Sequence, residues 1–283
     1  MLCRDQECRT PGSGQKSSQY TQLLSSPSSP STSKSSFKIA VEGNISSGKS
    51  TLLELFNKQS FVETLTEPVE KWRNLGGSNI LDRMYQDPKR WSFTFQSYVL
   101  LTMLQVHHSQ QSKPLAVIER SVYSARYCFV ENLRASGVMD ETEFACYTEW
   151  FDWIMSQQRP QLDLIVYLRT SPETCYERLL QRARAEEAPV SLDYLKSLHS
   201  RYENWLGSNR SWHGNTPVLV LDANKDVVQN KDLHNEMMEQ ITAFLTKLSP
   251  DVLSPPRVPS GVFSSPQKKA GTSVRTPLAE INQ

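Results

Sequence analysis

The chain has 283 residues, of which 38% are hydrophobic and 9% aromatic, enough apolar material to bury a core in one folded unit. Lys and Arg total 31 against 30 for Asp and Glu, a net charge of +1, which argues against binding duplex DNA or RNA mainly through an electrostatic field. No run approaches the roughly 20 apolar residues of a membrane span. Five scattered cysteines (Cys3, Cys8, Cys128, Cys146, Cys175) make neither a disulfide framework nor a Cys-x-x-Cys zinc pair.

An odd cysteine count without a secretory apolar segment fits a reducing, intracellular compartment; the cytoplasm is favoured, with mitochondrial and nuclear destinations left open. Residues 1–36 are dominated by Ser, Thr, Gln and Pro and cannot bury enough apolar surface to offset their ordering entropy, so they are expected to be disordered. Arg4 and Arg9 in this Ser-rich setting fit a mitochondrial transit peptide, but Asp5 and Glu7 interrupt its acid-poor pattern. A second Pro- and Ser-rich tail is expected over residues 249–283, with Ser-Pro or Thr-Pro steps at Ser254, Ser265 and Thr276 and a basic pair, Lys268-Lys269. Residues 37–248 read as a single α/β domain: a five-stranded parallel sheet flanked by helices, because short apolar runs alternate with long amphipathic ones.

The first strand, Lys38–Glu42, runs into Gly43-Asn44-Ile45-Ser46-Ser47-Gly48-Lys49-Ser50-Thr51 and a helix over Lys49–Lys58. This is G-x-x-x-x-G-K-[ST] in the strand-to-helix setting that its mechanism requires. The glycines let backbone amides turn inward around a polyphosphate at a helix N-terminus, Lys49 neutralises the β- and γ-phosphates, and Ser50 offers a hydroxyl to Mg²⁺. The second strand, Val62–Thr66, ends at Glu67-Pro68, and ligands of open parallel sheets bind at strand carboxyl ends. Pro68 biases Glu67 toward extended backbone, so its carboxylate is a candidate to take the proton of an attacking hydroxyl.

A long helix is expected over Leu81–His108, where Ser92, Gln96, Val99 and Met103 share one face. A glutamine on an otherwise apolar face wants partners; one orientation complements thymine and the other cytosine. The third strand, Leu115–Glu119, ends in Glu119-Arg120-Ser121, which suits a kinase of a small acceptor: Glu119 on the magnesium side and Arg120 toward the transfer site. Helices follow at Val122–Ser136 and Glu141–Gln158, then a strand at Asp163–Arg169. Ser171 caps and Pro172 opens a helix over Pro172–Arg184, whose Arg178, Arg182 and Arg184 precede a loop at Ala188-Pro189. Arginines on a mobile segment clamp charge in phosphoryl transfer. A helix at Leu192–Leu206, a strand at Val218–Asp222 and a helix at Leu233–Leu248 complete the domain. Asn224-Lys225-Asp226-Val227 and Asn230-Lys231-Asp232-Leu233 each miss the guanine-reading Asn-Lys-x-Asp by one residue, which argues against a GTPase.

Together, Leu65-Thr66-Glu67-Pro68-Val69-Glu70-Lys71-Trp72-Arg73, Phe95-Gln96-Ser97-Tyr98, Glu119-Arg120-Ser121, Ser124-Ala125-Arg126-Tyr127 and Tyr167-Leu168-Arg169-Thr170-Ser171-Pro172-Glu173 resemble the deoxyribonucleoside kinase family. The resemblance covers about residues 37–225 and is nearest the multisubstrate insect-type and mitochondrial thymidine-phosphorylating branches. It implies a P-loop kinase fold and transfer of the γ-phosphoryl of ATP, with Mg²⁺, to a deoxyribonucleoside 5′-hydroxyl. It also implies Glu67 as base, Arg120 assisting at the 5′-hydroxyl and Gln96 reading the base. Trp72, Met84, Phe95, Val99, Met103, Ala125 and Phe129 would line the pocket, and Tyr85 and Glu187 would hold the 3′-hydroxyl. Arg178, Arg182 and Arg184 would form the lid, and the Asp222-Ala223-Asn224 segment would cover adenine. Val99, Met103 and Ala125 match the pyrimidine-preferring branch, so thymidine and deoxycytidine are expected ahead of purines. The family also implies a homodimer and feedback inhibition by the end-product triphosphate. Ser50 departs from the Thr of close relatives, although both hydroxyls can ligate Mg²⁺. Two rivals remain: a nucleoside monophosphate kinase, against which Glu67 would repel the acceptor's phosphate, and a nucleotide-sensing protein that has lost catalysis.

Overall fold

The chain forms the strands β1 (Phe37–Glu42), β2 (Val62–Leu65), β3 (Leu115–Glu119), β4 (Leu164–Arg169) and β5 (Val218–Asp222), all mainly apolar except β2, in a computed structural model that describes residues 36–207, 215–225 and 231–248. Apart from Ser36, the two tails expected to be disordered lie outside the described residues. All pairings are parallel, in the order β2-β3-β1-β4-β5, with Val41 opposite Glu119 on one side and Val166 on the other. This is the α/β, P-loop arrangement expected from the sequence.

Between the strands run α1 (Lys49–Phe56), α2 (Val69–Arg73), α3 (Ile80–Gln86), α4 (Pro88–His107), α5 (Val122–Ser124), α6 (Glu131–Ala135), α7 (Glu141–Gln158), α8 (Pro172–Arg182), α9 (Leu192–Leu206) and α10 (Lys231–Leu248). A π turn, Ala125–Val130, joins α5 to α6, and a 3-10 turn, Ala185–Glu187, follows α8. Strand residues alternate between the two faces of the sheet. Ile39, Val41, Val117 and Val166 pack with Leu52, Leu53 and Phe56 of α1 and Met237, Ile241 and Leu245 of α10. Ala40, Ile118, Ile165 and Tyr167 pack with Tyr202, Trp205 and Leu206 of α9. A separate apolar cluster from α2 to α7 includes Trp72, Met84, Phe95, Val99, Met103 and Ala125.

Besides α1 ending at Phe56 rather than Lys58 and α10 starting at Lys231 rather than Leu233, the helices differ from expectation in four places. The single helix expected over Leu81–His108 is two, because Pro88 disfavours helical backbone at Asp87; Pro88 instead opens α4, and Asp87 Oδ1 accepts from Arg90 N at 3.3 Å. The five-residue α2 was not expected; it starts immediately after Pro68. The continuous helix expected over Val122–Ser136 is interrupted by the π turn. Finally, α8 stops at Arg182, since Ala183 takes left-handed backbone (φ 51°), and this releases Arg184 from the helix.

Candidate active site

The phosphate loop closes around two glycines with positive φ. A Cβ on Gly43 (φ 149°) would lie 2.6 Å from Ser47 Oγ and 2.8 Å from the Leu168 carbonyl, so only glycine fits. Gly48 (φ 102°) turns the chain into α1. Asn44 braces the loop from beneath: its Nδ2 donates to the Leu195 carbonyl at 2.9 Å and its Oδ1 accepts from Ile45 N at 2.8 Å. Thr170 Oγ1 donates to the Ser47 carbonyl at 3.2 Å. Lys49 is buried, and its ammonium donates to the Asn44 carbonyl at 2.6 Å and the Gly43 carbonyl at 3.2 Å. Burial, reinforced by Arg120, lowers it to about 7 against the pull of Glu119 and Glu67. The buried hydroxyls of Ser46 and Ser47 have no hydrogen-bond partner in the protein.

Ser50 Oγ donates to Glu119 Oε1 at 2.7 Å, joining the start of α1 to the end of β3. These two hard oxygen donors fit Mg²⁺, which takes its remaining positions from phosphates and water. Among the described residues no group of three or more His, Cys, Asp or Glu side chains forms an all-protein metal cage. Arg120 Nη1 donates to Glu67 Oε2 at 2.6 Å, with both side chains mostly buried. Burial raises the Glu67 carboxyl; Arg120 opposes the shift and Glu119 adds to it. Arg120 occupies left-handed backbone (φ 59°), and its guanidinium lies 5.0 Å from the centre of the Phe129 ring.

A cavity of about 660 Å³ opens in front of these groups. Its walls include the loop from Ile45 to Thr51, Glu67, Glu119 and Arg120, and beyond them Trp72, Met84, Tyr85, Phe95, Gln96, Val99, Met103, Ala125 and Phe129. Trp72 is fixed by its Nε1–H donating to Thr102 Oγ1 at 2.9 Å and by an edge-on contact with Phe95 at 5.6 Å. Gln96 is buried with Oε1 unpartnered, an amide acceptor aimed at no protein group. The π turn brings both Ala125 and Phe129 to the wall. Burial raises the Tyr85 hydroxyl, with Tyr194 and Glu187 adding to the effect.

On the other side, Arg178, Arg182, Arg184 and Glu187 also line the cavity. Arg182 Nη2 donates to both Glu187 oxygens at 2.6 Å, and Arg184 lies 3.7 Å from Glu187. Arg178 does more than face the cavity: it donates to the carbonyls of Ala223 (2.9 Å), Asn224 (3.0 Å) and Lys225 (3.1 Å), tying α8 to the loop after β5. In that loop Ala223 reaches the cavity, while Asp222 and Asn224 shape it; Asp222 Oδ1 accepts from Asn224 N, and Asn224 Oδ1 accepts from Ser171 N. Gly43 and Asn44 likewise act from beneath rather than on the wall.

Three residues with no role assigned from sequence also belong to this neighbourhood. Arg73 lines the cavity and reaches Glu186 at 2.6 Å, linking α2 to the 3-10 turn. Tyr194 lines it from α9, its hydroxyl pushed up to about 12 by burial against the pull of Arg120. Glu42 is fully buried behind it, and burial pushes its carboxyl up to about 7 against Ser121 and Arg120. Glu42 carried a readable signal, an acid ending an apolar strand directly before the loop; Tyr194, one polar residue in an amphipathic helix, carried none.

A phosphate loop facing a buried acid–arginine pair across one cavity defines a phosphotransferase. Residues 39–246 match the deoxynucleoside kinase family. The chain is 48% identical over 203 residues to mitochondrial thymidine kinase 2 of Homo sapiens, covering 72% of this chain and 77% of that protein. The Macaca fascicularis enzyme of the same name is 49% identical over 72% of this chain and 74% of its own length. Deoxycytidine kinase of Mus musculus is 39% identical over 253 residues, covering 79% of this chain and 96% of that protein. The chain belongs to the deoxynucleoside kinase family.

Proposed function

We propose that this chain transfers the γ-phosphoryl group of ATP to the 5′-hydroxyl of deoxyribonucleosides, with thymidine and deoxycytidine preferred and purines tolerated. The observation that carries the reading is Gln96: a buried amide with an unpartnered acceptor on an apolar wall of the cavity that Glu67 and Arg120 also line. A flat base with both a donor and an acceptor on one edge satisfies that amide, while Trp72, Phe95, Val99 and Met103 supply apolar contact. Tyr85 and Glu187 hold the 3′-hydroxyl. The 5′-hydroxyl then attacks the γ-phosphorus, its proton passes to Glu67, and ADP departs with the bridging oxygen. Lys49 and the lid arginines Arg178, Arg182 and Arg184 offset phosphate charge, and Arg120 steadies the transfer site. Ser50 and Glu119 would hold Mg²⁺, which would supply neutralisation of phosphate charge.

A nucleoside monophosphate as acceptor is disfavoured because Glu67 would face its phosphate. The discriminating experiment is ATP consumption with thymidine, deoxycytidine, deoxyadenosine, deoxyguanosine and thymidine monophosphate offered separately. Activity led by the two pyrimidine nucleosides supports the reading; activity on the monophosphate alone overturns it.

A homodimer is part of the same proposal. Leu101 of α4 and Trp150 and Trp153 of α7 are exposed, apolar surface that a helix-built dimer would cover. We place the enzyme inside cells, the cytoplasm first. An intact Met1–Ser36 segment on the steady-state protein would exclude a cleaved mitochondrial address. The kinase domain in this reading spans residues 37–248.

A further inference from the structure

Glu42 ends β1 one residue before the phosphate loop, is fully buried, and has no part in the reaction outlined above. A buried carboxylate requires partners, and the partners of Glu42 converge on one neighbour. Ser121 donates its hydroxyl to Glu42 Oε1 at 2.5 Å, and Tyr202 of α9 donates toward Oε2 at 3.5 Å. The same Tyr202 oxygen accepts from Arg120 Nε at 3.5 Å, and Arg120 completes the series on Glu67 at 2.6 Å. Both Tyr202 contacts are at the long limit of a hydrogen bond, so this hydroxyl acts as a spacer that sets distance more than as a strong link. Its own place is fixed, because the Tyr202 ring stacks on Tyr167 at 5.8 Å with an interplanar angle of 10°.

The backbone on the other side of Arg120 is constrained as well. Left-handed backbone at a long side chain persists only where the surroundings impose it. The next residue, Ser121, is locked with Ser124 in both directions: Ser124 Oγ accepts from Ser121 N at 3.3 Å and donates to the Ser121 carbonyl at 3.0 Å. Glu42 holds the hydroxyl of that same Ser121. Arg120 therefore has one carboxylate before it, Glu67, and a second behind it that acts through two hydroxyls.

We propose that Glu42 is the positioning residue for Arg120: through the Ser121 and Tyr202 hydroxyls it fixes the guanidinium against Glu67 at the transfer site. The proposal rests on the role given to Arg120 under Proposed function. A misplacement of about 1 Å at a transfer site costs up to about 10²-fold in rate, and that loss falls on turnover rather than on binding.

The test is steady-state kinetics of the full chain with ATP and thymidine for the wild type, Glu42→Gln, Tyr202→Phe and the double variant, with melting temperatures alongside. Glu42→Gln keeps the shape of the side chain; Tyr202→Phe keeps the stacked ring and removes only the hydroxyl. Each single variant is expected to lose about 10- to 100-fold in kcat. Both KM values should stay within about threefold, since binding groups are untouched. The double variant should be no slower than the worse single one, because the two residues act in series. Wild-type kcat in Glu42→Gln, losses that multiply in the double variant, or a rise in KM without loss of kcat would each overturn the proposal. If Glu42→Gln does not fold, Tyr202→Phe decides alone, and wild-type kcat there overturns it. A wild-type protein inactive on every nucleoside removes the kinase reading itself, whereas an active wild type with unaltered variants removes only the role of Glu42.

Discussion

Replacing Glu67 with Gln isolates the proton-accepting role proposed for it from everything else that residue does. The amide oxygen still accepts from Arg120 Nη1, which reaches Glu67 Oε2 at 2.6 Å, and the volume is unchanged. What disappears is a basic site in a buried corner. General-base catalysis contributes about 10²- to 10⁴-fold, or about 3–5 kcal/mol in the barrier. The upper half of that range is expected, because burial raises the Glu67 carboxyl and Arg120 only partly reverses the shift, leaving a stronger base than a free carboxylate. The base works ionised. In the wild type kcat should therefore fall as pH drops through a limb that lies above the ordinary value of 4.5, and the variant should lack that limb. The assay is kcat against pH at saturating ATP, where the phosphates keep Lys49 protonated although burial lowers it to about 7 in the free protein. ATP affinity, measured by calorimetry, should stay within about threefold, since Glu67 contributes nothing attractive to the phosphates. Turnover within about threefold of wild type, or an acid limb that survives the substitution, would refute the assignment of Glu67 as base.

Gly43→Ala should destabilise the protein by about 2–4 kcal/mol in urea unfolding, because the new Cβ meets Ser47 Oγ at 2.6 Å and a backbone carbonyl at 2.8 Å while φ is held at 149°; an unchanged unfolding midpoint would mean that the loop relaxes freely. Gln96→Leu should cost about 10²-fold or more in kcat/KM for thymidine, with the KM for ATP and the melting temperature maintained or improved, since it removes a buried unpartnered oxygen. Retained pyrimidine preference in that variant would take base reading away from Gln96.

The inner strands β1, β3 and β4 were legible because they are buried nearly throughout and read as apolar runs, whereas the outer strands β2 and β5 are only partly buried and β2 carries Glu63 and Thr64; the ends of all five were still placed within one residue. The phosphate loop was legible because its glycines and lysine are dictated by backbone geometry and charge. The helices between β2 and β3 were less so. Amphipathic periodicity runs straight through Asp87-Pro88, and only the backbone rule for residues before proline marks the break. The π turn leaves no periodic trace in six residues, yet it sets where Ala125 and Phe129 face the cavity. Arg178 was readable as a cation near phosphates, but its bonds to three carbonyls after β5 depend on a strand 40 residues away folding beside it. Tyr202 and Arg73 matter through long-range partners, Glu42 and Glu186, that no local pattern announces.

The central place of β1 also dictates the order of events during synthesis. β1 leaves the ribosome with both of its neighbours far downstream, at Leu115–Glu119 and Leu164–Arg169, and both pairings are parallel. Loop closure over such distances is slow, and until it occurs an apolar strand has nowhere to go. The phosphate loop inherits the delay: the Leu168 carbonyl crowds Gly43, Thr170 reaches the Ser47 carbonyl and Leu195 receives Asn44. A nascent chain that ends before Leu168 holds the whole G-x-x-x-x-G-K-S signature without any of these contacts, and one that ends before Leu195 still lacks the brace on Asn44, so the ability to grip a nucleotide appears only once those residues have docked.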